Sequence, residues 1–375
     1  MYTRDLQSVI QERCFQGKAI ILLGARQVGK TTLLKKIIQE QQVDALYLNC
    51  DEPQTVAALT NCNLKELQMV VGANKFVVID EAQKVDNIGL TLKLIVDNMP
   101  DVQVIATGSS AFELRNCLNE PLTGRKYEYQ MFPISSKEIY QSSGYIELTG
   151  ALETRLIYGS YPDILNHASD ARELLRMLTD SYLYKDILAT DQLRKPDVLD
   201  KLLRALAFQV GSEVSYNELA QTVGTDSKTV ERYIELLEKC YIIFRLHGLS
   251  RNLRNELKKA KKIYFYDNGV RNAVIQQFAP LELRNDAGAL WENFFISERI
   301  KHNHYQQNYC NTYFWRTKSQ LEIDYIEEQN GQMTAFEMKW NPKKANTTIP
   351  AAFLDAYDVK ETVVITPDNY LDYLL

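Results

Sequence analysis

The sequence predicts a mixed α/β protein that begins with a parallel sheet and ends with an antiparallel hairpin. Three observations lead to this fold class. Apolar runs alternate with helical patterns in the first third of the chain, the middle third is mostly helical, and the last third carries an Asn-Gly pair between alternating residues. Continuous Val, Ile and Leu runs are typical of parallel strands covered on both faces. Asn-Gly is the strongest short-range signal for a two-residue hairpin turn.

Composition narrows the class of protein. The 375 residues have room for several domains, and 45% apolar and 24% charged residues are ordinary for a globular protein. The net charge of −5 gives no general attraction to nucleic acid, so any such contact must come from a local patch. Six scattered cysteines without C-x-x-C spacing indicate free thiols. No apolar run approaches the ~20 residues that span a bilayer, so we expect a cytoplasmic protein with no membrane contact.

The first predicted strand leads into a phosphate-binding loop. The run AIILL precedes GARQVGKTT, which matches the pattern G-x-x-x-x-G-K-[ST] at a strand-to-helix junction. Loop N–H groups and the helix N-terminus surround phosphates, Lys30 reaches the β- and γ-phosphates, and Thr31 offers its hydroxyl to Mg²⁺. We therefore expect ATP and Mg²⁺ as cofactors. The predicted nucleotide-binding residues are Gly24, Ala25, Arg26, Gln27, Val28, Gly29, Lys30, Thr31, Thr32, Asp80 and Ser109.

Two acids end a later buried strand, FVVIDEAQ. The carboxyl ends of parallel strands are where ligands of open α/β sheets bind. We expect Asp80 to hold Mg²⁺ and Glu81 to polarise the attacking water, which favours hydrolysis over binding alone. A further strand ends in Thr107, Ser109 and Ser110, which either sense the γ-phosphate or simply cap the next helix.

Arg125 lies beyond these strands, and the sequence leaves two roles open for it. A guanidinium from a neighbouring subunit could act catalytically as an arginine finger, in which case the working unit is a homo-oligomer, a ring or a dimer. The other role is an ordinary ion pair with a carboxylate.

The middle of the chain predicts helices and a possible DNA-binding module. Residues 136–189 are mostly helical and resemble a lid on the nucleotide core. Two apolar helical faces then flank the turn VGTDS, with a strand after them, which is helix-turn-helix geometry. Lys228, Thr229 and Arg232 are predicted to face outward from the second helix. Such modules bind DNA or serve as connectors, and both uses stay open.

A basic segment follows directly, and clustered cations attract phosphate backbones without reading sequence. A solvated loop is the alternative. Its basic residues are Arg251, Arg254, Lys258, Lys259, Lys261 and Lys262.

Near the end, LEIDYIEEQNGQMTAFEMKW reads as a hairpin centred on Asn-Gly. This register places Asp324 opposite Glu337 and Glu322 opposite Lys339, with all four on one face. Opposed Cβ atoms lie about 4.5–5.5 Å apart, a span that a cation held by two carboxylates can bridge. Two acids this close need a cation or a raised pKa. The alternative is a solvated strand face with a Glu–Lys pair.

These motifs resemble a family of bacterial and archaeal ATPases over nearly the whole chain. The resemblance rests on LLGARQVGKTTLL, VVIDEAQ, IATGSSAFEL, YFYDNGVRN, ALWENFF and the closing hairpin. It implies a P-loop AAA-type parallel sheet with a helical lid, a winged-helix linker domain, and an α/β restriction-endonuclease-like C-terminal domain of the PD-(D/E)xK class. The implied domains are 1–135 for the ATPase core, 136–190 for the lid, 191–250 for the winged helix and 251–375 for the nuclease-like domain.

The resemblance also implies a metal site in the last domain. Glu292 corresponds to the helical acid, Asp324 to the strand acid, and Glu337 with Lys339 to the E-x-K motif. The three carboxylates are the implied Mg²⁺ ligands, and Lys339 is the implied catalytic lysine that steadies developing charge. No proline precedes Asp324, as in divergent members, and some members keep this fold for DNA binding alone.

The main functional hypothesis is an ATPase that couples ATP to the binding or processing of structured or duplex DNA, with Mg²⁺-dependent nuclease activity as an extension. The alternative is an ATP-dependent switch or scaffold that binds protein partners through a non-catalytic nuclease-like domain. A small-molecule kinase is disfavoured because Glu81 suits water better than an acceptor hydroxyl.

Overall fold

The chain forms two compact units in a computed structural model that describes residues 2–41, 43–109, 121–180, 195–249, 261–344 and 349–375. The first unit comprises Tyr2–Pro133 with Lys239–Tyr241, and the second comprises Ile134–Glu238 and Ile242–Leu375. The first unit thus ends near the predicted core boundary at 135, and the other domain boundaries stay predictions. Within the described ranges, every helix is too short or too polar to cross a bilayer.

A parallel sheet with flanking helices builds the first unit. Its strands are β1 (Ala19–Leu23), β2 (Ala45–Asn49), β3 (Phe76–Asp80), β4 (Gln103–Gly108) and β5 (Lys126–Gln130). Its helices are α1 (Leu6–Arg13), α2 (Lys30–Gln41), α3 (Pro53–Leu59), α4 (Leu64–Val71) and α5 (Ile88–Asn98). The strand order is β2-β3-β4-β1-β5, and all neighbours are parallel. Strands β1, β3 and β4 are buried along their whole length, as their apolar runs predict. The predicted α/β class is confirmed.

Helices and a mixed sheet build the second unit. Its helices are α6 (Ser136–Gly150), α7 (Leu152–Tyr158), α8 (Pro162–Asn166), α9 (Ala171–Leu178), α10 (Pro196–Phe208), α11 (Tyr216–Val223), α12 (Ser227–Lys239), α13 (Asn268–Val274), α14 (Ala287–Tyr305) and α15 (Ala351–Leu354). Its strands are β6 (Glu213–Val214), β7 (Ile243–Gly248), β8 (Lys261–Phe265), β9 (Asn311–Arg316), β10 (Glu322–Gln329), β11 (Gln332–Met338) and β12 (Val359–Ile365). The order β12-β11-β10-β9-β7-β8-β6 joins strands from the predicted winged-helix and nuclease-like domains in one sheet.

The predicted lid helices pack inside the second unit. The amide of Asn272 donates to the carbonyls of Leu156 and Ile157, at 3.1 and 2.8 Å, which ties α13 to α7. The amide of Asn268 donates to the Leu156 carbonyl as well, at 3.3 Å. Residues 181–190 of the predicted lid lie outside the described residues, and its role over a nucleotide stays a prediction.

The closing hairpin has the predicted register. Asn330 and Gly331 both have positive φ, at 55° and 85°, as a two-residue hairpin turn requires. Tyr325 pairs with Phe336, which confirms the predicted alignment of β10 and β11. The simple alternation fails at the start of β10, where the pairing with β9 shifts register between Ile323 and Ile326. Both isoleucines consequently belong to one buried cluster.

Candidate functional sites: a P-loop and an acidic cluster

The loop between β1 and α2 has the geometry of a phosphate cradle. Gly24 has φ 154°, and a Cβ there would lie 2.2 Å from the Met131 carbonyl oxygen, so only glycine fits. Gly29 also has positive φ, at 98°. The Lys30 ammonium turns into the loop and donates to the carbonyls of Gly24 and Ala25, at 2.8 and 2.9 Å. The glycine loop, the lysine and the helix N-terminus thus lie together, which is the arrangement typical of phosphate-binding loops.

The remaining predicted loop residues divide by exposure. Val28 is buried, Arg26 is half-buried, and Gln27 and Thr32 are exposed. Gln27 has φ 60°, a left-handed conformation that is uncommon for a residue other than glycine.

Buried Arg4, which the sequence did not predict as part of the site, binds this loop. Arg4 donates from Nη1 to the Val28 carbonyl at 2.5 Å and from Nη2 to the Phe132 carbonyl at 2.6 Å. It therefore fastens the loop to the segment after β5. No spacing signal relates Arg4 to the loop, because the contact depends on the tertiary fold.

Asp80 is surrounded by neutral hydroxyl donors. Thr31 donates to Oδ2 at 3.0 Å, Tyr47 donates to the same oxygen, and Thr107 donates to Oδ1. Thr31 and Asp80, the two predicted Mg²⁺ ligands of the nucleotide site, are thus brought together. The oxygen-only donor set fits Mg²⁺. Tyr47 was not predicted, because β2 carries no motif.

Glu81 has the left-handed conformation, with φ 54°. Its backbone N–H donates to the Thr107 hydroxyl at 3.1 Å. Its Oε2 accepts from Gln83 Nε2 at 2.6 Å and from the Ser109 hydroxyl at 3.1 Å. A strained conformation at the residue after the strand is typical of functional positions. The structure brings Ser109 to Glu81, whereas Ser110 lies outside the described residues.

Arg125 forms an ion pair within its own unit. Its Nε lies 2.6 Å from Asp97 Oδ1, and both side chains are partly exposed. This contact matches the ordinary ion pair that the sequence left open, and the arginine-finger role stays a prediction.

The second unit holds an acidic cluster around a buried lysine. The Lys262 side chain is 1% exposed, and its Nζ lies 2.5 Å from Glu322 Oε1, 3.1 Å from Glu292 Oε1 and 4.0 Å from Asp324 Oδ1. Strands β8 and β10 and helix α14 supply these groups. The predicted convergence of Glu292 and Asp324 is therefore present, with an ammonium group among the acids.

The predicted pair between Glu322 and Lys339 is wrong. Lys339 lies just beyond β11 and donates to Glu337 Oε2 at 2.9 Å. Glu322 instead forms an ion pair with Lys262, and its Oε2 lies 3.5 Å from Nε of Arg316 on β9. The physical reason is that the pairing of β10 with β11 begins at Tyr325 and Phe336, so Glu322 and Lys339 both lie outside the paired part of the hairpin.

Two of the carboxylate oxygens already accept hydrogen bonds from other donors. Glu292 Oε1 accepts from the Tyr264 hydroxyl at 2.6 Å as well as from Lys262. Asp324 Oδ2 accepts from the Met338 backbone N–H at 2.9 Å.

The charges of the cluster shift its pKa values. Burial, followed by the Asp324 charge, raises the pKa of Glu292 to about 7. The same two causes raise the pKa of Glu337 to about 7. Burial by itself would lower the pKa of Lys262, but the charges of the surrounding acids raise it above its usual value. The cluster thus combines raised acid pKa values with an internal cation, the two conditions expected for crowded acids.

The cluster does not fit a divalent metal as it stands. Among the described residues, no three Asp, Glu, His or Cys side chains are arranged to hold an ion. The predicted ligands lie beside lysines instead. Glu292 and Asp324 surround Lys262, and Glu337 accepts a hydrogen bond from Lys339.

Two of the predicted DNA-contacting lysines are engaged inside the unit. Lys261 Nζ lies 4.7 Å from the centre of the Tyr216 ring, and Lys262 lies in the acidic cluster. The prediction that Lys262 contacts phosphate is therefore wrong, because its ammonium is buried. The predicted cations Arg251, Arg254, Lys258 and Lys259 lie outside the described residues.

The second helix of the helix–turn–helix segment presents fewer polar groups than predicted. Thr229 donates its hydroxyl to Asp226 at 2.7 Å, and half-buried Arg232 lies over the Tyr233 ring at 5.3 Å. Lys228 is exposed. Of the three residues predicted to face outward, Lys228 alone is classed as exposed to solvent, and Thr229 and Arg232 are half-buried.

Comparison with known proteins defines the class of the first unit. Residues 16–140 match the profile of an AAA domain. The solved structure of a Walker-type ATPase of Pyrococcus abyssi is 18% identical, has a TM-score of 0.50, and covers 73% of this chain and 96% of its own. Together with the parallel sheet and the loop, these findings show that the first unit has the P-loop fold of AAA-type ATPases.

The second unit matches profiles without an assigned function. Residues 149–281 and 287–372 match two domains of unknown function, DUF8612 and DUF4143. An uncharacterized protein of Mycobacterium tuberculosis is 23% identical over 345 residues, 90% of this chain and 73% of its own length. One of Methanocaldococcus jannaschii is 26% identical over 299 residues, 68% of this chain and 62% of its own. The restriction-endonuclease likeness stays a prediction.

Proposed function

We propose that this chain is an ATPase whose nucleotide state controls DNA binding by its second unit. The observation that carries the proposal is the presence, in one chain, of a complete P-loop site and of a helix–turn–helix segment followed by strands β7 and β8. The sequence between these strands is rich in Arg and Lys. Such a basic connection suits a phosphate backbone.

The hydrolytic part of the proposal uses residues of the first unit. Lys30 binds the β- and γ-phosphates, Thr31 and Asp80 hold Mg²⁺, and Glu81 orients the attacking water. The Glu81 carboxylate exchanges its bonds to Gln83 and Ser109 for that water when ATP is bound. The proposal includes a homo-oligomer, in which Arg125 releases Asp97 and contacts the nucleotide of a neighbouring subunit.

Anisotropy of labelled duplex, single-stranded and branched DNA, measured over a salt series, tests the DNA part. We expect binding that weakens with salt and differs at least about fivefold between ADP and a non-hydrolysable ATP analogue. Lys228→Ala should weaken binding and lower the salt slope by about one. Lys360→Ala, an exposed lysine on β12, is the matched control.

The proposal fails if no DNA is retained at low salt in either nucleotide state and ATP turnover ignores added DNA. That result would favour the alternative, an ATP-dependent switch that binds proteins through the second unit.

A further inference from the structure

The acidic cluster is closed around its lysine on several sides. The Phe314 ring lies 5.5 Å from Lys262 Nζ. Gly211 has φ +75°, and a Cβ added there would lie 3.2 Å from Glu292 Oε1, so backbone fills the space beside this carboxylate. The ammonium therefore lies in an enclosed position and not on a solvated strand face.

We propose that Lys262 is the resident cation of this cluster, so that the second unit keeps a nuclease-like arrangement of acids without a divalent metal and binds DNA without cleaving it. The statement about DNA rests on the proposed function. The exclusion of metal does not rest on it, because metal binding is measured without DNA.

Charge is the first reason why a divalent ion does not fit this cluster. A buried ammonium is tolerated only when it is paired and hydrogen-bonded, and Lys262 has acid partners on both β10 and α14. A divalent ion among the same oxygens would lie within a few ångströms of Nζ, and the two positive charges would repel each other.

The second reason is that other donors already use oxygens that a metal would need. Glu292 Oε1 is shared by Lys262 and Tyr264, and Asp324 Oδ2 is taken by the Met338 N–H. A metal would have to compete with these donors for the two oxygens and would also have to displace the lysine. Removing the ammonium should therefore create a metal site that the natural sequence lacks.

Terbium luminescence sensitised by tryptophan tests this directly. All three tryptophans, Trp291, Trp315 and Trp340, belong to the second unit, and Trp291 is adjacent in sequence to Glu292. Every sample contains both units and carries Asp80→Asn, so that the nucleotide site does not contribute. We expect no saturable signal with Lys262 present, and at least about tenfold tighter Tb³⁺ binding after Lys262→Met.

Two further variants separate charge from shape. Lys262→Arg keeps the positive charge and should stay without a saturable signal. Lys262→Met with Glu322→Gln removes one positive and one negative charge, so it should fold even if the single variant does not, and it should bind Tb³⁺. Ca²⁺ should raise the melting temperature of the folded Met variants and leave that of the parent unchanged.

A saturable Tb³⁺ signal in the parent that disappears with Asp324→Asn would overturn the proposal. So would Mg²⁺-dependent cleavage of DNA by the natural sequence that Asp324→Asn abolishes. If the natural sequence bound neither DNA nor Tb³⁺, the proposed function would be contradicted, but the exclusion of metal would stand.

Discussion

The two units of this chain each combine acidic side chains with a buried lysine, but they offset the negative charge in opposite ways. In the first unit, Asp80 is held by the neutral hydroxyls of Thr31, Tyr47 and Thr107, while Lys30 is bonded to main-chain carbonyls. In the second unit, an ammonium lies directly among the acids. Acids held by neutral donors still need an external cation, whereas acids that contain an internal one do not. The same residue types therefore indicate a metal-using site in one place and a self-neutralised site in the other.

A substitution in the nucleotide site should reduce activity more than the other changes below. Glu81→Gln removes the carboxylate that we propose to orient water but keeps the side-chain volume, so ATP turnover should fall by about 10²–10⁴-fold while ATP binding persists. Phosphate release and nucleotide titration measure the two quantities. Glu52→Gln is the control, because Glu52 is exposed and its side chain caps nothing.

The matched change in the second cluster is Asp324→Asn. This variant should keep near wild-type ATP turnover, because its carboxylate takes no part in the proposed nucleotide site. A loss as large as that of Glu81→Gln would show that the two acid clusters are not independent.

Glu298 is a buried carboxylate outside both sites, and its two cationic partners predict an effect on stability. Glu298 is 2% exposed, its Oε1 lies 2.6 Å from Lys301 Nζ, and its Oε2 lies 3.2 Å from Arg155 Nη2. Burial opposes ionisation, but the charges of Lys301 and Arg155 lower the pKa of Glu298 to about 2. Removing one partner of a buried pair costs about 3 kcal/mol, so Glu298→Gln should lower the free energy of unfolding by about that amount at neutral pH.

The same residue predicts a pH dependence. Because its folded-state pKa lies below the usual 4.5, Glu298 stabilises the fold above about pH 4.5, and this contribution is lost as the pH falls toward about 2. The stability difference between the parent and Glu298→Gln should therefore shrink over that window. Urea unfolding followed by tryptophan fluorescence measures it, with exposed Glu173→Gln as the control. A difference that stays constant with pH would contradict the assignment.

Local patterns were enough to predict several features. These features depend on residues close in sequence. They are the order of β1, loop and α2, the acids at the end of β3, and the register across Asn330 and Gly331. The position of Lys262 could not be predicted, because it requires β8 to pair with β7 and α14 to bring Glu292 against it. Within a run of basic residues, a lysine indicates phosphate binding, and only tertiary structure turns its side chain inward.

The smallest expected effect concerns the hydroxyl network around Asp80. Tyr47 lies on β2, which pairs with β3, and its hydroxyl donates to Asp80 Oδ2 beside Thr31. Groups that orient a metal ligand typically change metal affinity or activity by about tenfold, so Tyr47→Phe should raise the Mg²⁺ concentration for half-maximal turnover by about that factor. Turnover at saturating Mg²⁺ should recover, because Asp80 itself remains. Mg²⁺ titrations of ATP turnover measure both values, and Tyr127→Phe, on β5, is the matched change since its hydroxyl donates to Gln16 away from Asp80. An unchanged Mg²⁺ requirement would mean that the tyrosine only fills space, and the contrast between neutral donors in one unit and an internal cation in the other would then rest on the two threonines.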